Sequence, residues 1–194
     1  MVTSKGTKTY QGKRIALIPL CMNMACDIHD YSMDARFFEF LEFGPNKTLP
    51  QTQEYIKKLL ERIENENAHY WGIFLKCENK VIGTIGATSF DGLRNSVEIG
   101  YGINPQYWGM GYFKESLNLV CKILFTHFEI HRIYAKTDYR NISSIKGLSA
   151  LGFTKEGELR NFYKYPNGQR ANACMLSILK PEFDIQQENT TNTQ

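Results

Sequence analysis

A turn that contains two closely spaced glycines separates a strand-like run from a long helical pattern. The turn is Gln106-Tyr107-Trp108-Gly109-Met110-Gly111, and apolar residues then recur three or four positions apart from Phe113 to Phe128. Glycines let a backbone approach a ligand closely, and the unpaired N–H groups at a helix start attract anions. This composition is typical of a diphosphate cradle, although a tight turn built only for its conformation would use the same glycines.

Two other phosphate-binding loops do not match this turn. It lacks the Gly-Lys-Ser/Thr run of a P-loop, and Lys114 stands where a dinucleotide fingerprint requires a third glycine. Gly100 and Gly102, in the run Ser96 to Ile103, favour a ligand, because glycine in a strand costs about 0.5–1 kcal/mol relative to alanine. Such glycines indicate a bulge, which would splay the strand and free its backbone for an extended, amide-bearing ligand.

Four short motifs follow one another along the chain. The turn 106–111 has the pattern Q-x-x-G-x-G, and Glu98-Ile99-Gly100-Tyr101 precedes it. Further along, Asn141-Ile142-Ser143-Ser144 has the pattern N-x-x-S, and Leu151 to Arg160 has the pattern L-G-F-x-x-E-G-x-L-R. Together they resemble the acetyl-CoA motif of the GNAT acetyltransferases and the downstream blocks of their RimJ/RimL-like branch. The similarity covers roughly residues 14–181.

The resemblance implies that acetyl-CoA is the acetyl donor. It places the diphosphate on backbone N–H groups of the turn and the pantetheine arm along the preceding strand. The residues assigned to the cofactor in this way are Ile103, Gln106, Trp108, Gly109, Met110, Gly111, Tyr112 and Asn141. Two of these also fit plainer roles, because Asn141 would be a favourable helix N-cap and Trp108 a packing aromatic beside the turn.

The same resemblance assigns Glu98 and Ser144 to catalysis. An alkyl ammonium has a pKa of about 10, so a base must remove its proton, and the departing thiolate must gain one. Glu98 would act as the base, directly or through water, and Ser144 as the proton donor, while a backbone N–H around residues 99–101 would stabilise the oxyanion. The plainer alternatives are a structural acceptor for Glu98 and a helix-surface hydroxyl for Ser144. No cysteine lies within the motif blocks, which favours direct attack of the amine, and no metal-ligand spacing occurs.

The acceptor is less well defined than the donor. A protein N-terminal α-amino group, as in the RimJ/RimL-like branch, and a small amine such as an amino sugar, polyamine or aminoglycoside both stay open. A non-catalytic acyl-CoA-binding protein is a third hypothesis. In the family that these motifs resemble, the first helices and the last hairpin shape the acceptor side. There this chain is rich in aromatic residues and has Asn172 in place of a common Asp. The aromatic residues are Tyr31, Phe37, Phe38, Phe40, Phe43, Phe162, Tyr163 and Tyr165.

The order of predicted elements indicates one mixed α/β domain. The predicted elements are a strand at 14–20, helices at 27–43 and 48–63, strands at 70–77, 81–90 and 96–103, a helix at 113–128, a strand at 132–137, a helix at 142–151, and a hairpin around Pro166-Asn167-Gly168. The resemblance implies a GNAT-like fold: a mostly antiparallel sheet, splayed at the acetyl-CoA strand and flanked by about four helices. Polar composition predicts flexible ends at 1–12 and 183–194 around a domain at 13–182.

Composition narrows the setting of the protein. The net charge of +3 is spread among acids, so a nucleic-acid partner is not expected. The five cysteines form no C-x-x-C pair, which favours a reducing compartment. No apolar run approaches the length of about 20 residues that spans a bilayer. We therefore expect a cytoplasmic protein, monomeric or homodimeric, that acts on an amine-bearing small molecule or a peptide N-terminus and has no membrane partner.

Overall fold

Eight strands form one open sheet in the computed structural model, which describes residues 8–65 and 68–191, with side chains up to residue 188. The order across the sheet is β1-β2-β3-β4-β5-β6-β8-β7, and every neighbouring pair is antiparallel except β5 with β6. The strands are β1 (Tyr10–Gln11), β2 (Ile15–Pro19), β3 (His69–Leu75), β4 (Lys80–Asp91), β5 (Ser96–Ile103), β6 (Arg132–Asp138), β7 (Thr154–Lys164) and β8 (Arg170–Leu179). The mixed α/β class and the mostly antiparallel sheet are confirmed.

Six α-helices occur within the described residues, so the expected number of about four is too low. They are α1 (Ala25–Ser32), α2 (Ala35–Phe38), α3 (Leu49–Asn65), α4 (Tyr112–Thr126), α5 (Ile142–Ser149) and α6 (Lys180–Thr191). One extra helix arises because the predicted helix at 27–43 is broken into α1 and α2. Asp34 causes the break by capping α2, since its carboxylate accepts the Arg36 N–H at 3.0 Å.

The predicted splay of the sheet lies between β5 and β6. These strands pair through only three residues on each side, Ser96 to Glu98 with Arg132 to Tyr134. Beyond Glu98, β5 continues to Ile103 paired with β4 alone on that stretch. The parallel strands β5 and β6 therefore separate after Glu98, and a cleft opens between them.

The bulge lies on a different strand from the one predicted. Thr88 of β4 is the extra residue, because Ala87 pairs with Ile99 and Ser89 pairs with Glu98. Close packing, and not a bulge, accounts for Gly102 in β5. A Cβ on Gly102 would come within 2.6 Å of the Phe37 ring, which belongs to α2. The glycine signal was therefore correct about close approach and wrong about which strand bulges.

Each face of the sheet carries its own apolar core. Helix α4 packs on one face, where Val120 and Leu124 join Trp71 and Ile85 in a cluster of fully buried side chains. Helices α1 and α3 cover the other face around Ile28, Ile56 and Tyr70, among others. Alternation along β3 sends Tyr70 and Trp71 to opposite faces, as expected for a strand buried on both sides. None of the helices in the described part of the chain has the length and apolarity needed to cross a membrane.

Both chain ends contribute more structure than the composition predicts. Within the expected flexible segment 1–12, residues 1–7 lie outside the described residues, and Tyr10–Gln11 pairs with β2. The expected tail from residue 183 is instead largely helix α6, and residues 192–194 lie outside the described residues. Phe183 is only 2% exposed because its ring packs on Phe125 of α4, with centroids 5.2 Å apart. A single aromatic in a polar helix has no apolar periodicity, so the sequence pattern did not reveal this contact.

Phe183→Ala tests whether α6 belongs to the folded domain. Loss of the buried ring should lower the free energy of unfolding by about 3–5 kcal/mol. Ile185→Ala in the same helix removes a side chain that is 59% exposed and should change stability by no more than about 0.5 kcal/mol. Urea unfolding measures both variants. Equal stability of the two variants would show that α6 is not docked through Phe183.

Candidate active site

The buried residue Asn104 organises the start of the turn after β5. Its backbone N–H donates to the Ile82 carbonyl at 2.8 Å, and its side-chain oxygen accepts the Gln106 N–H at 3.0 Å. A short 3₁₀ turn over Pro105–Tyr107 follows, closed by the Tyr107 N–H on the Asn104 carbonyl. Gln106 therefore contributes a backbone contact to the turn, and its side chain is exposed.

The second half of the turn forms a backbone cradle before α4. Gly109 and Gly111 have φ of +76° and +80°, a conformation that disfavours residues with a Cβ, and Gly111 is the N-cap of α4. Among the described residues, none accepts a hydrogen bond from the N–H of Gly109, Met110 or Gly111. The first N–H groups of α4, from Tyr112 onward, also lack partners within the helix. A Cβ on Gly109 would meet no atom within 4 Å, so this surface is open to a diphosphate.

Trp108 links the turn to the strand that precedes it. Its indole Nε1 donates to the Ile103 carbonyl at 2.7 Å, while half of its side chain is exposed. Tyr107 makes a similar link by donating its hydroxyl to Glu78 in the turn between β3 and β4. Both aromatics of the motif therefore hold the loop in place, which is the plainer alternative for Trp108, and Met110 is exposed at the rim.

The edge of β5 that faces the cleft carries free backbone positions. Because Asn104 donates its N–H toward β4, the backbone groups of Ile103 and Tyr101 point to the opposite edge, beyond the three-residue pairing with β6. The Ile103 carbonyl accepts the Trp108 indole N–H, and the N–H of Ile103 lies on the same open edge. This edge can accept an extended chain that bears amides.

A tyrosine that the sequence did not single out contacts Ser144. Ser144 is 8% exposed, and its Oγ lies 2.6 Å from the Tyr101 hydroxyl. Tyr101 packs against Phe113 of α4 with centroids 4.6 Å apart and the rings tilted by 49°, and burial raises its pKa well above the ordinary value. Asn141 caps α5, since its side-chain oxygen accepts the Ser144 N–H at 3.0 Å. Asn141, Ser144 and Tyr101 therefore form one continuous cluster.

Glu98 is the second candidate catalytic residue, and it does not stand alone. Lys136 of β6 forms an ion pair with it at 2.9 Å, and both side chains are about one-fifth exposed. The same ammonium lies 4.8 Å from the centre of the Phe162 ring, in cation–π range. Burial raises the pKa of Tyr163, and the negative charges of Glu98 and Glu42 add to that effect because both carboxylates lie near its hydroxyl. No group of three or more potential metal-ligand side chains occurs among the described residues.

The two candidate catalytic sites lie on opposite faces of β5. Side chains alternate along a strand, so Glu98 and Gly102 face one side and Tyr101 faces the other. The side of Glu98 is covered by α2, because Phe37 packs over Gly102. The side of Tyr101 is covered by α4 and α5 through Phe113 and Ser144. The same alternation, applied to Glu98-Ile99-Gly100-Tyr101, was the sequence signal that could have identified Tyr101.

A buried carboxylate fixes the junction between β6 and α5. Asp138 accepts the Arg140 N–H at 2.8 Å, the Arg140 guanidinium at 2.7 Å and the Tyr165 hydroxyl. Burial acts in the opposite direction, yet these hydrogen bonds hold the pKa of Asp138 below its usual range. The Asn141 N–H donates to the Asp138 carbonyl at 2.9 Å. Asp138 therefore positions the cluster of Asn141 and Ser144, a role that its sequence position did not indicate.

The aromatic residues on the acceptor side separate into two groups. Those of α1 and α2, with Tyr55 of α3 and Thr84 of β4, line a small cavity. Those of the last hairpin lie near Glu98 and Asp138. Asn172, which follows the last turn, accepts the Asn161 N–H at 2.9 Å and donates to Glu158. It therefore supports the irregular pairing of β7 with β8.

Comparison with known proteins agrees with this geometry. The family model described as the acetyltransferase (GNAT) domain matches residues 14–154. The chain belongs to the GNAT acetyltransferases. Enzymes of this family use acetyl-CoA as the acetyl donor, and the backbone cradle and open edge of β5 suit it. The resemblance inferred from the sequence motifs is thus confirmed at the level of fold, enzyme class and donor.

Individual relatives span a range of acceptors. The uncharacterized N-acetyltransferase p20 of Bacillus licheniformis is 29% identical over 91% of this chain and 98% of its own. In Escherichia coli, the [ribosomal protein uS5]-alanine N-acetyltransferase is 28% identical over 60% of each chain, and the spermidine N(1)-acetyltransferase 26% identical over 56% and 58%. A crystal structure of an acetyltransferase from T. thermophilus has a TM-score of 0.81 and 25% identity over 91% and 92% of the two chains.

Gly109→Asp tests the cradle. A carboxylate at this open position adds both volume and negative charge where the diphosphate would lie, so affinity for acetyl-CoA should fall by at least about 100-fold, whereas the fold should persist. Gly168→Asp is the matched control, because Gly168 has φ of +81° and equally open space in the β7–β8 turn. Isothermal titration calorimetry measures both. Similar affinities for the two variants would place the diphosphate elsewhere.

Proposed function

We propose that this enzyme transfers the acetyl group of acetyl-CoA to the free α-amino group of a peptide or protein by direct attack of the amine. Acetyl-CoA supplies an acetyl group activated as a thioester. The observation that carries the proposal is the position of Glu98 on one face of the split sheet and of Tyr101 with Ser144 on the other. In this arrangement the amine approaches from the side of Glu98, and the thiolate sulfur leaves toward the hydroxyls of Tyr101 and Ser144.

Glu98 acts on the acceptor. An amine attacks only when its nitrogen lone pair is free, so Glu98 accepts the proton that the nitrogen gives up, directly or through one water molecule. The C–N bond forms at the acetyl carbonyl carbon. Lys136 holds the Glu98 carboxylate where the pairing of β5 with β6 ends and the cleft begins, through their 2.9 Å ion pair. The proton taken by Glu98 passes to solvent at the end of the cycle.

Ser144 and Tyr101 act on the leaving group. When the C–S bond breaks, the electron pair stays on sulfur and the Ser144 hydroxyl donates its proton to it. Tyr101 restores the proton through the 2.6 Å hydrogen bond and regains its own from solvent. Burial raises the pKa of Tyr101, so its hydroxyl stays protonated at neutral pH and can serve as a donor. The net reaction releases one proton when the acceptor begins as an ammonium.

The open edge of β5 would stabilise the negative charge that develops on the carbonyl oxygen. A backbone N–H around residues 99–101 on this edge requires no reorganisation, because the ladder with β4 holds the strand in place. Ile103 and Asn141 lie farther along the same cleft and would contact the pantetheine arm. The cradle at Trp108, Gly109, Met110, Gly111 and Tyr112 would hold the diphosphate.

The charge at Lys136 favours a peptide α-amine over a polyamine. A peptide N-terminus has a pKa of about 7.7–8.0, compared with about 10.4 for an alkyl amine of the lysine type, so more of it is uncharged at neutral pH. Next to Glu98, a cation disfavours acceptors that carry several positive charges. Phe162 and Tyr163 would pack against the first residues of a peptide. The similarity to the ribosomal-protein acetyltransferase agrees with this choice.

A polyamine is the second candidate acceptor. It is favoured by the similarity to the spermidine acetyltransferase and by Glu42, a carboxylate close to Tyr163 on the acceptor side. Glu42 already accepts the Lys164 N–H at 3.0 Å, and Glu98 is paired with Lys136. Of these two carboxylates, Glu98 is already neutralised by Lys136, which ranks the polyamine behind the peptide.

Tyr101→Phe tests the proton relay. The ring still packs against Phe113, but the hydroxyl is lost, so kcat should fall by about 10–100-fold with little change in the KM for acetyl-CoA. Ser144→Ala should have a similar effect. The double variant should be no slower than the slower single variant, because both residues serve one proton transfer. Steady-state kinetics measures these values, and a Tyr101→Phe enzyme with wild-type kcat would remove the relay from the mechanism.

An acceptor panel tests the substrate class. The wild-type enzyme should have a higher kcat/KM for short peptides with free N-termini than for spermidine. Lys136→Met should shift that ratio toward spermidine by about tenfold, through loss of a nearby like charge. Lys122→Met on the exposed side of α4 is the control and should leave the ratio unchanged.

Mass spectrometry of the products identifies the acetylated nitrogen. Acetyl-CoA binding without turnover of any amine would support the non-catalytic acyl-CoA-binding alternative. A wild-type preference for spermidine would instead favour the polyamine.

A further inference from the structure

We propose that Arg14 is a positioning residue for acetyl-CoA, because it anchors the diphosphate cradle to the start of β2 and neutralises Glu115. The inference rests on the acetyl-CoA cradle alone and is independent of the acceptor. Arg14 lies just before β2, 96 positions ahead of Met110 in the chain, and the motif that marks the cofactor site does not include it.

The Arg14 guanidinium bridges the loop and the helix. Its Nη1 donates to the Met110 carbonyl at 2.9 Å, and its Nε donates to the Glu115 carboxylate at 2.8 Å. The guanidinium carbon lies 4.5 Å from the centre of the Tyr112 ring. Met110, Tyr112 and Glu115 flank Gly111 in sequence, so one side chain contacts the cradle on both sides of its second glycine.

The contact also reaches the glycine itself. A Cβ on Gly111 would lie 3.3 Å from Nη2 of Arg14, so this edge of the guanidinium borders the cradle. When the Met110 carbonyl is held by Arg14, the next peptide N–H, that of Gly111, is directed away from the guanidinium. The orientation of one cradle N–H thus depends on this hydrogen bond.

Glu115 explains why a positive charge is required. Its carboxylate accepts the backbone N–H groups of Arg14 at 2.7 Å and Ile15 at 3.3 Å, which ties β2 to the first turn of α4. Although burial acts in the opposite direction, these bonds keep the pKa of Glu115 below its usual value, so it is ionised at neutral pH. A carboxylate in the first helical turn opposes an anion at the same N-terminus. Arg14 offsets that repulsion.

Two single variants and their combination test the proposal by calorimetric titration with acetyl-CoA. Arg14→Gln should weaken binding by about tenfold, because Glu115 then faces the diphosphate without a counter-charge. Glu115→Gln retains an acceptor oxygen for the backbone N–H groups of Arg14 and Ile15 and should bind at least as tightly as the wild type. The double variant should recover in part, to within about threefold of the wild type, because the repulsion by Glu115 is gone while the Arg14 hydrogen bond to the Met110 carbonyl stays absent.

The single variant Glu115→Gln distinguishes charge compensation from a purely structural role. Loss of a structural contact would weaken binding whichever partner is replaced, whereas loss of the Glu115 charge alone should not. Arg94→Gln is the matched control: Arg94 also forms an ion pair, with Asp91, at the opposite end of β5, and its loss should leave affinity unchanged. Weaker binding by Glu115→Gln, or no recovery in the double variant, would overturn the proposal. Wild-type protein that does not bind acetyl-CoA would instead overturn the cradle itself.

Discussion

The parallel contact between β5 and β6 ends after three residue pairs, and the rest of the site depends on that separation. Each strand is held along its full length by its outer neighbour, β5 by β4 and β6 by β8. The strands therefore diverge as rigid units and do not fray. An open sheet edge is normally a liability, because its unpaired N–H and C=O groups attract other strands. Here the edge lies inside the domain and suits a ligand that carries amides.

In the proposed mechanism, the separation also divides the chemistry between two faces. A strand directs consecutive side chains to opposite sides, so Glu98 and Tyr101 on one strand are kept apart by the backbone itself. A base and a proton donor in direct contact would exchange a proton with each other. In this arrangement, Glu98 is held by Lys136, and Tyr101 is held by Ser144 and Phe113. Each group therefore has its own electrostatic environment.

The supports of the cradle come from distant parts of the chain. Arg14 precedes β2, Glu78 lies between β3 and β4, and Trp108 belongs to the turn itself. All three converge because the sheet brings the start of β2, the β3–β4 turn and the end of β5 together at one end of its strands. A glycine-containing loop has little conformational preference of its own. Its shape is imposed by these side chains.

The sequence by itself determined the acetyl donor, the fold class and most of the elements, including both ends of β5. It could do so because glycine spacing and apolar periodicity are local properties of the chain. It did not reveal that Phe183 docks α6, that the bulge lies at Thr88, or that Asp34 divides the first helical segment. Nor did it reveal the partners of the site residues: Lys136 for Glu98, Tyr101 for Ser144 and Arg14 for the cradle. Those pairs join residues that are about 40 to 100 positions apart in the chain, and only the tertiary structure decides such contacts, because strand order and register, not local pattern, bring them together.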